Sequence, residues 1–352
     1  TEDGLTNDCV DSQGFRLDDP QNIADYIVET TKRLPAKHYI LVLWNHGYDF
    51  FIFDQPVSTA YPEKVVTREL VYDDNTGEAI SIFELEEGLK RSGIKLDMVY
   101  WDVCTMNMIE NIYQVKDYTD YVLGSGHLTP ELGGNYAQLM HALDTHSDLL
   151  EAMKEYVPAT VTLWNNTMGI YDSKDLTLCD VNYADEAVQY IKEYVDALTK
   201  LRGELEPGSQ NELKFHYLNG TDMIDSHSGR KAHYYSEGGI LYYYYDACDG
   251  MNYASSVDLY SAFTRLGNKM LNGYLSGLAT RLRISMDKML PVSSCAGVPD
   301  YIDRISIGLL WMDKADFTFD YSSNLPDIVV PSLDKLYPML KFDKVTGWSR
   351  FL

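Results

Sequence analysis

The segment Tyr39-Ile40-Leu41-Val42-Leu43-Trp44 is a continuous apolar run, and Asn45-His46-Gly47 follows it directly. A run of this length without polar alternation is typical of a strand that is buried on both faces, as in a parallel sheet covered by helices. The same pattern recurs at Met98–Trp101 and at Tyr121–Gly124. We therefore expect three buried strands in the first half of the chain.

Amphipathic helical patterns flank these strands, at residues 19–34, 80–91 and 106–115. Strands that alternate with helices indicate the α/β class with a mainly parallel central sheet. Ligands of such sheets bind beyond the carboxyl ends of the strands. His46, Cys104 and Ser125 all follow a predicted strand, so we expect them at one edge of the sheet.

The second half of the chain mixes helical and strand-like patterns. Helical patterns cover residues 184–201 and 257–284, the latter with a break at Gly273, and strand-like runs cover residues 234–246 and 305–311. No change in composition marks a linker. We therefore predict a core at residues 1–180 and a C-terminal α+β region at residues 181–352 that packs closely on it.

The chain is strongly acidic, with 29 Lys+Arg against 53 Asp+Glu in 352 residues and a formal net charge of −24. A field of this sign repels phosphate groups and anionic lipids, so nucleic acids and membrane surfaces are disfavoured as partners. It attracts cations and basic peptides. No apolar run approaches the roughly 18 residues that a membrane helix needs, so no membrane span is predicted.

Several catalytic motifs are missing from the sequence. It contains no P-loop, no G-x-G-x-x-G after a strand, no G-x-S-x-G and no H-E-x-x-H, which disfavours nucleotide-dependent enzymes, α/β-hydrolases and zinc peptidases. None of the five cysteines forms a C-x-x-C pair, so we predict no metal site built on cysteines. The cysteines are Cys9, Cys104, Cys179, Cys248 and Cys295.

The most informative pair of motifs is His46-Gly47 and Asp102-Val103-Cys104, each at the end of a predicted strand. If the two strands are neighbours, the imidazole and the thiol face the same cleft. A thiol attacks as the thiolate, and a nearby histidine can take up its proton. Gly47 has no Cβ, so its N–H can approach a substrate oxygen and, with the Cys104 N–H, form an oxyanion hole.

At these residues the sequence resembles the clostripain family of cysteine peptidases. The resemblance is carried by Leu41–Gly47 and by Asp97–Met106. It extends through the helix Ser81–Leu89, through 110–121 and 257–260, and to the C-terminal segments Leu340–Phe342 and Thr346–Leu352. It implies a caspase-like fold, a three-layer α/β sandwich. It also implies two further strands before the segment with which this chain begins.

The resemblance implies a cysteine endopeptidase with a Cys-His dyad. Cys104 is then the nucleophile, His46 the general acid–base, and the Gly47 and Cys104 amides the oxyanion donors. Asp102 matches the acidic residue that pairs with a basic P1 side chain, and Ser125 matches a residue at the end of the next strand that contacts substrate. We therefore expect a peptide or protein substrate with Arg or Lys at P1, because a buried carboxylate without a partner is costly.

The resemblance further implies maturation by self-cleavage, a calcium requirement in some members, and export from the cell. Members mature by self-cleavage in the loop after the histidine, here Tyr48–Leu70, where Lys64 and Arg68 are candidate sites. The dyad needs no cofactor, but some members require calcium, for which 73–75 and 172–180 offer oxygen ligands without EF-hand spacing. Family habit indicates export by a bacterium, in which case the remaining cysteines could form disulfides.

Two other functions stay open at this stage. Tyr48-Asp49-Phe50 and Ser125-Gly126 depart from the family pattern, so the chain could be a catalytically inactive or autoinhibited homologue that binds peptides or protein partners through the same cleft. Retention of both His46 and Cys104 favours an enzyme over that alternative. An acidic calcium-binding structural protein is supported by the net charge alone.

Overall fold

The computed structural model describes residues 16, 19–47, 70–73, 78–126, 129–168, 174–204, 232–237, 240–245, 256–260, 263, 272–296, 305–308 and 337–351. Most of the predicted loop Tyr48–Leu70 lies outside these residues, and so do Lys64, Arg68, Cys9 and Cys248. Of the possible calcium ligands, residues 74–75 and 172–173 are also outside the described ranges.

The strands are β1 (Ile40–Trp44), β2 (Leu70–Asp73), β3 (Glu78–Ile80), β4 (Leu96–Asp102), β5 (Thr119–Gly124), β6 (Lys174–Asp180), β7 (Ala232–Glu237), β8 (Ile240–Tyr245), β9 (Ser256–Asp258), β10 (Val292–Ala296) and β11 (Ser306–Gly308). The helices are α1 (Pro20–Arg33), α2 (Ile82–Ser92), α3 (Ile109–Val115), α4 (Tyr136–Thr145), α5 (Leu149–Met168), α6 (Ala184–Glu204), α7 (Gly273–Met289), α8 (Lys341–Thr346) and α9 (Trp348–Phe351). Short 3₁₀ turns lie at Val181–Tyr183 and Tyr337–Met339.

Within the described residues, the central sheet has five strands in the order β1-β4-β5-β6-β10. The pairs β1–β4 and β4–β5 are parallel, whereas β6 is antiparallel to both of its neighbours, β5 and β10. Four of the five strands therefore run in one direction. The predicted α/β class with a mainly parallel sheet is confirmed.

Helices cover both faces of this sheet, and β4 contributes side chains to the core on each face. Val99 and Trp101 join a core cluster with α1, α2, α3, α6 and α7, whereas Met98 and Tyr100 join a second cluster with α4 and α5. Successive side chains of a strand point to opposite faces, so an uninterrupted apolar run supplies both clusters. The result is the expected three-layer sandwich.

Local signals set the helix starts next to the sheet. Asp19 caps α1 by accepting a hydrogen bond of 2.9 Å from the Gln21 N–H, and Pro20 occupies the first turn. Ser81 and Glu84 form a capping box at the start of α2, each side chain accepting from the other residue's backbone N–H. Both helices begin close to where their sequence patterns predict.

Some predictions for the second half need correction. The helical pattern over 257–284 contains a short strand, β9, and α7 begins at Gly273 behind the cap residue Asn272. The strand-like run 234–246 is confirmed in its described residues, which lie on two antiparallel strands, β7 and β8. In the described part of the strand-like run 305–311, residues Ser306–Gly308 form strand β11.

The C-terminal region completes the core. Strand β10 pairs with β6 in the central sheet, and Phe342, Trp348 and Phe351 are buried in the same cluster as Trp101. The division at residue 180 stays a prediction, but the sheet takes strands from both sides of it. None of the helices within the described ranges is both long and apolar enough to span a membrane.

Candidate active site

The register of β1 and β4 brings the two predicted catalytic segments together. Trp44 is paired with Asp102 across the parallel ladder, and His46 and Cys104 each follow two residues later. The carboxyl ends of parallel neighbours meet at the same edge of a sheet, so both side chains start from the same place. His46 is exposed and Cys104 half-buried, which leaves a route for substrate.

Gly47 is the point where the two segments touch. A Cβ placed on this residue would lie 2.3 Å from the carbonyl oxygen of Cys104 and 3.1 Å from the Cβ of Val103. Real Cβ atoms essentially never come that close to another heavy atom, so only glycine permits this approach. The contact places Gly47 against the cysteine segment, and its role as an oxyanion donor stays a prediction.

Backbone hydrogen bonds hold the histidine segment. The His46 N–H donates to Oδ1 of Asn45 at 2.6 Å, and the His46 carbonyl accepts from the Val71 N–H at 3.1 Å. The second bond ties the histidine to β2, on the far side of the loop after Gly47. The imidazole therefore projects from a segment that is fixed on both sides.

The cysteine segment is held by a residue that the sequence analysis did not single out. The Thr129 N–H donates to Sγ of Cys104 at 3.4 Å, and the thiol lies 3.8 Å from the Thr129 carbonyl oxygen. The Thr129 hydroxyl donates to the Val103 carbonyl at 2.9 Å. Thr105 has a φ of 57°, a strained value for a β-branched residue and one that is often found at functional sites.

Asp102 is buried beside this loop, with 2% of its surface exposed. Its Oδ2 accepts hydrogen bonds from the Gly134 N–H at 2.7 Å and from the Tyr136 hydroxyl. Its Oδ1 is buried and has no hydrogen-bond partner among the described residues. Burial raises the pKa of Asp102 above its usual value, while the two hydrogen bonds oppose that shift.

Aromatic side chains and Gly133 surround the carboxylate. Gly133 has a φ of 62°, and a Cβ on it would lie 2.8 Å from both Oδ2 of Asp102 and Nε1 of Trp44. The Trp164 indole N–H fixes this turn by donating to the Gly133 carbonyl at 2.8 Å. Trp44 and Tyr136 remain 60% and 39% exposed, so both residues reach the protein surface beside the buried carboxylate.

Ser125 lies deeper than the sequence analysis assumes. It is 1% exposed, and its hydroxyl donates to Oδ1 of Asp175 at 2.8 Å, while the Gly126 N–H donates to Oδ2 at 3.1 Å. Its carbonyl accepts from the Asn107 N–H at 3.1 Å. The Ser125 hydroxyl is buried and bonded to Asp175, and a substrate-binding role for Ser125 stays a prediction.

The proposed calcium ligands within 174–180 are already engaged. Asp175 holds the 125–126 segment, and Oδ1 of Asp180 caps the following turn by accepting from the Asn182 N–H at 3.0 Å. The segment forms strand β6 rather than an acidic turn, and calcium binding stays a prediction. No group of three or more His, Cys, Asp or Glu that could hold a metal occurs in the described part of the chain.

The sequence analysis did not assign three residues to the site: Thr129, Tyr136 and Asp175, the last of which it considered only as a calcium ligand. Each acts through a contact with a residue that is distant in sequence, and none lies in a recognisable motif. The consecutive glycines Gly133-Gly134 before the helix cap Asn135 are the one local signal of a close approach. The structure agrees with this signal, because Gly133 packs against the Asp102 carboxylate.

Comparisons with known proteins agree with this arrangement. The sequence profile of the clostripain family matches residues 11–281. A secreted C11 cysteine protease from Bacteroides thetaiotaomicron, "iotapain", superposes with a TM-score of 0.60 at 16% identity, over 94% of this chain and 78% of that one. A search among curated protein sequences gives no significant match.

Two more solved structures have the same fold. An inactive zymogen C11 protease from Parabacteroides distasonis superposes with a TM-score of 0.56 at 15% identity, over 93% of this chain and 75% of that one. A complex of a secreted C11 cysteine protease from Bacteroides thetaiotaomicron with an irreversible peptide inhibitor superposes with a TM-score of 0.60 at 13% identity, over 95% of this chain and 79% of that one. The sandwich described above is thus caspase-like, and the chain belongs to the clostripain family of cysteine peptidases.

Proposed function

We propose that this chain is an endopeptidase in which Cys104 is the nucleophile and His46 the general acid–base, and that it cleaves after Lys or Arg. The observation that carries the proposal is the Gly47–Cys104 contact, because it locks the histidine and cysteine segments together at one sheet edge. Family membership supports the cysteine peptidase activity in general.

The proposed reaction follows from these groups. His46 takes the proton of the Cys104 thiol, and the thiolate attacks the scissile carbonyl carbon. The Gly47 and Cys104 N–H groups stabilise the resulting oxyanion. Collapse of the tetrahedral intermediate breaks the C–N bond, and His46 protonates the departing amine. Water then attacks the thioester with His46 as base, which releases the acid product and restores the thiol.

The preference for a basic P1 side chain rests on Asp102. Its buried Oδ1 has no partner in the described residues, and a cationic side chain would supply one. The net charge of −24 favours approach of basic segments. An uncharged P1 side chain would leave the carboxylate unpaired, so it binds less well.

The primary test is hydrolysis of fluorogenic peptides that differ only at P1: Arg, Lys, Asp or Ala. We expect cleavage after Arg and Lys by the wild type, none by Cys104→Ala or His46→Ala, and retained cleavage by the matched control Cys295→Ser. Cleavage that is indifferent to P1 would keep the dyad but refute the role of Asp102. Absence of cleavage with calcium present would support the alternative below.

The alternative is an inactive or autoinhibited homologue that binds peptides or protein partners through the same cleft. The observation in its favour is the pair of close contacts between Thr129 and the Cys104 thiol, because they bring the Thr129 backbone next to the nucleophilic sulfur. One of the similar structures is of an inactive zymogen. Peptide binding without turnover, measured by calorimetry, would favour this alternative.

Calcium and export are further proposals that follow from the family. Calcium would act outside the dyad, and a thermal midpoint that falls on chelation would support a structural role. Export by a bacterium agrees with the secreted nature of the Bacteroides thetaiotaomicron protease. Fractionation of the native host, with an antibody against the chain, would test it.

A further inference from the structure

The hydroxyl of Tyr136 occupies one oxygen of the Asp102 carboxylate. Oδ2 accepts both this hydroxyl and the Gly134 N–H, whereas Oδ1 accepts nothing from the described residues. A carboxylate oxygen has two lone pairs, so two donors use the full capacity of Oδ2. The carboxylate therefore offers a substrate one oxygen rather than two.

Tyr136 cannot easily give up this position. It is the first residue of α4, whose cap residue Asn135 accepts from the Gln138 N–H at 3.3 Å, and its own N–H donates to the Gly134 carbonyl at 2.9 Å. The preceding Gly133 is fixed by the hydrogen bond from Trp164. Tyr136 is partly exposed, so it contacts the buried carboxylate and also reaches the protein surface.

Arginine and lysine side chains differ in the geometry with which they bind a carboxylate. A guanidinium binds best through two parallel hydrogen bonds, one to each oxygen. An ammonium is a compact charge that binds well to a single oxygen. A carboxylate with one oxygen already saturated therefore suits lysine and denies arginine its bidentate geometry.

We propose that Tyr136 is a specificity-determining residue that makes the site select Lys over Arg at P1, by reserving Oδ2 of Asp102. The proposal deepens the proposed function and rests on the role of Asp102 as the P1-binding carboxylate. Loss of the Tyr136 hydroxyl frees a lone pair on Oδ2, and arginine can then bind to both oxygens.

The test compares kcat/KM for two peptides that differ only in Lys or Arg at P1, with wild type, Tyr136→Phe and Tyr156→Phe. Tyr156 is a matched control, because its hydroxyl bonds that of Tyr100 at 3.0 Å and makes no hydrogen bond to Asp102. We expect the wild type to prefer Lys. Tyr136→Phe should raise the Arg-to-Lys ratio about ten-fold, mainly through KM, and Tyr156→Phe should leave it unchanged.

A second measurement does not depend on turnover. Calorimetry on the Cys104→Ala protein, with and without Tyr136→Phe, would give the affinities of product peptides that end in Lys or in Arg, and the same change in ratio is expected. An unchanged ratio in both assays, or a wild type that prefers Arg, overturns the role of Tyr136 and leaves the proposed function standing. If neither basic residue is favoured over Ala at P1, both proposals fall.

Discussion

Gly47→Ala is the substitution from which the geometry predicts the largest effect for the smallest chemical change. The new Cβ would lie 2.3 Å from the Cys104 carbonyl oxygen, short by 1.1 Å of the 3.4 Å at which ordinary van der Waals contact begins. The contact is with backbone, so no side chain can rotate to relieve it. The histidine and cysteine segments must then separate by about 1 Å, and a misplacement of that size costs about 10²-fold in rate.

The assay is kcat/KM on the Lys peptide, with a thermal melt on the same samples. We expect about a 10²-fold loss of kcat/KM and a destabilisation of about 1–3 kcal/mol, the usual range for overpacking. Gly277→Ala is the matched control, because a Cβ at that helical position meets no atom within 4 Å. It should keep full activity and gain stability. Wild-type activity in Gly47→Ala would refute the reasoning that this contact sets the dyad.

Three further predictions concern the surroundings of the site. Thr129→Val removes the hydrogen bond to the Val103 carbonyl, so alkylation of Cys104 by iodoacetamide at neutral pH should slow by roughly five-fold, whereas Thr129→Ser should react like the wild type. An unchanged rate in Thr129→Val would rule out a positioning role. Burial raises the pKa of Asp102, so the native state holds its proton at pH values where the unfolded chain has released it, and stability falls as pH rises through that range. Asp102→Asn should therefore raise the thermal midpoint at neutral pH, with a smaller rise at acidic pH, and it should abolish the preference for basic P1 residues. An equal rise of the thermal midpoint at both pH values would contradict a raised pKa of Asp102. Lys341→Ala, which removes the bonds to Glu86 and Asp117 at 2.7 and 2.8 Å, should cost about 1 kcal/mol of stability by denaturant titration and leave peptidase activity intact.

The strands that the sequence predicts are those whose burial needs only apolar side chains. β1, β4 and β5 contain continuous apolar runs, and the register of β1 and β4 places His46 and Cys104 at one sheet edge. Strand β6 was not predicted, because it begins with Lys174 and Asp175, both fully buried. Those two residues are tolerated inside only because the fold supplies partners, such as Ser125 for Asp175.

Strand β10 is missed for the same reason as β6, because its sequence Val-Ser-Ser-Cys-Ala is partly polar and has little strand character. Ser293 pairs with Thr177 of β6 in the sheet, and their hydroxyls are 2.8 Å apart. Such polar pairing depends on two segments more than a hundred residues apart in sequence. Composition and periodicity cannot report it, and the contacts of Thr129 and Tyr136 with the site are hidden in the same way.

Strand β10 also has a consequence for recombinant fragments of this protein. The family profile ends at residue 281, but the last strand of the central sheet lies at Val292–Ala296. A fragment trimmed to the profile would uncover the edge of β6, and an exposed edge with unpaired N–H and C=O groups is a template for aggregation. Such a fragment would also lack Phe342 and Trp348, which fill the core. The folding unit is set by strand pairing, and it reaches well beyond the part of the chain that sequence similarity delimits.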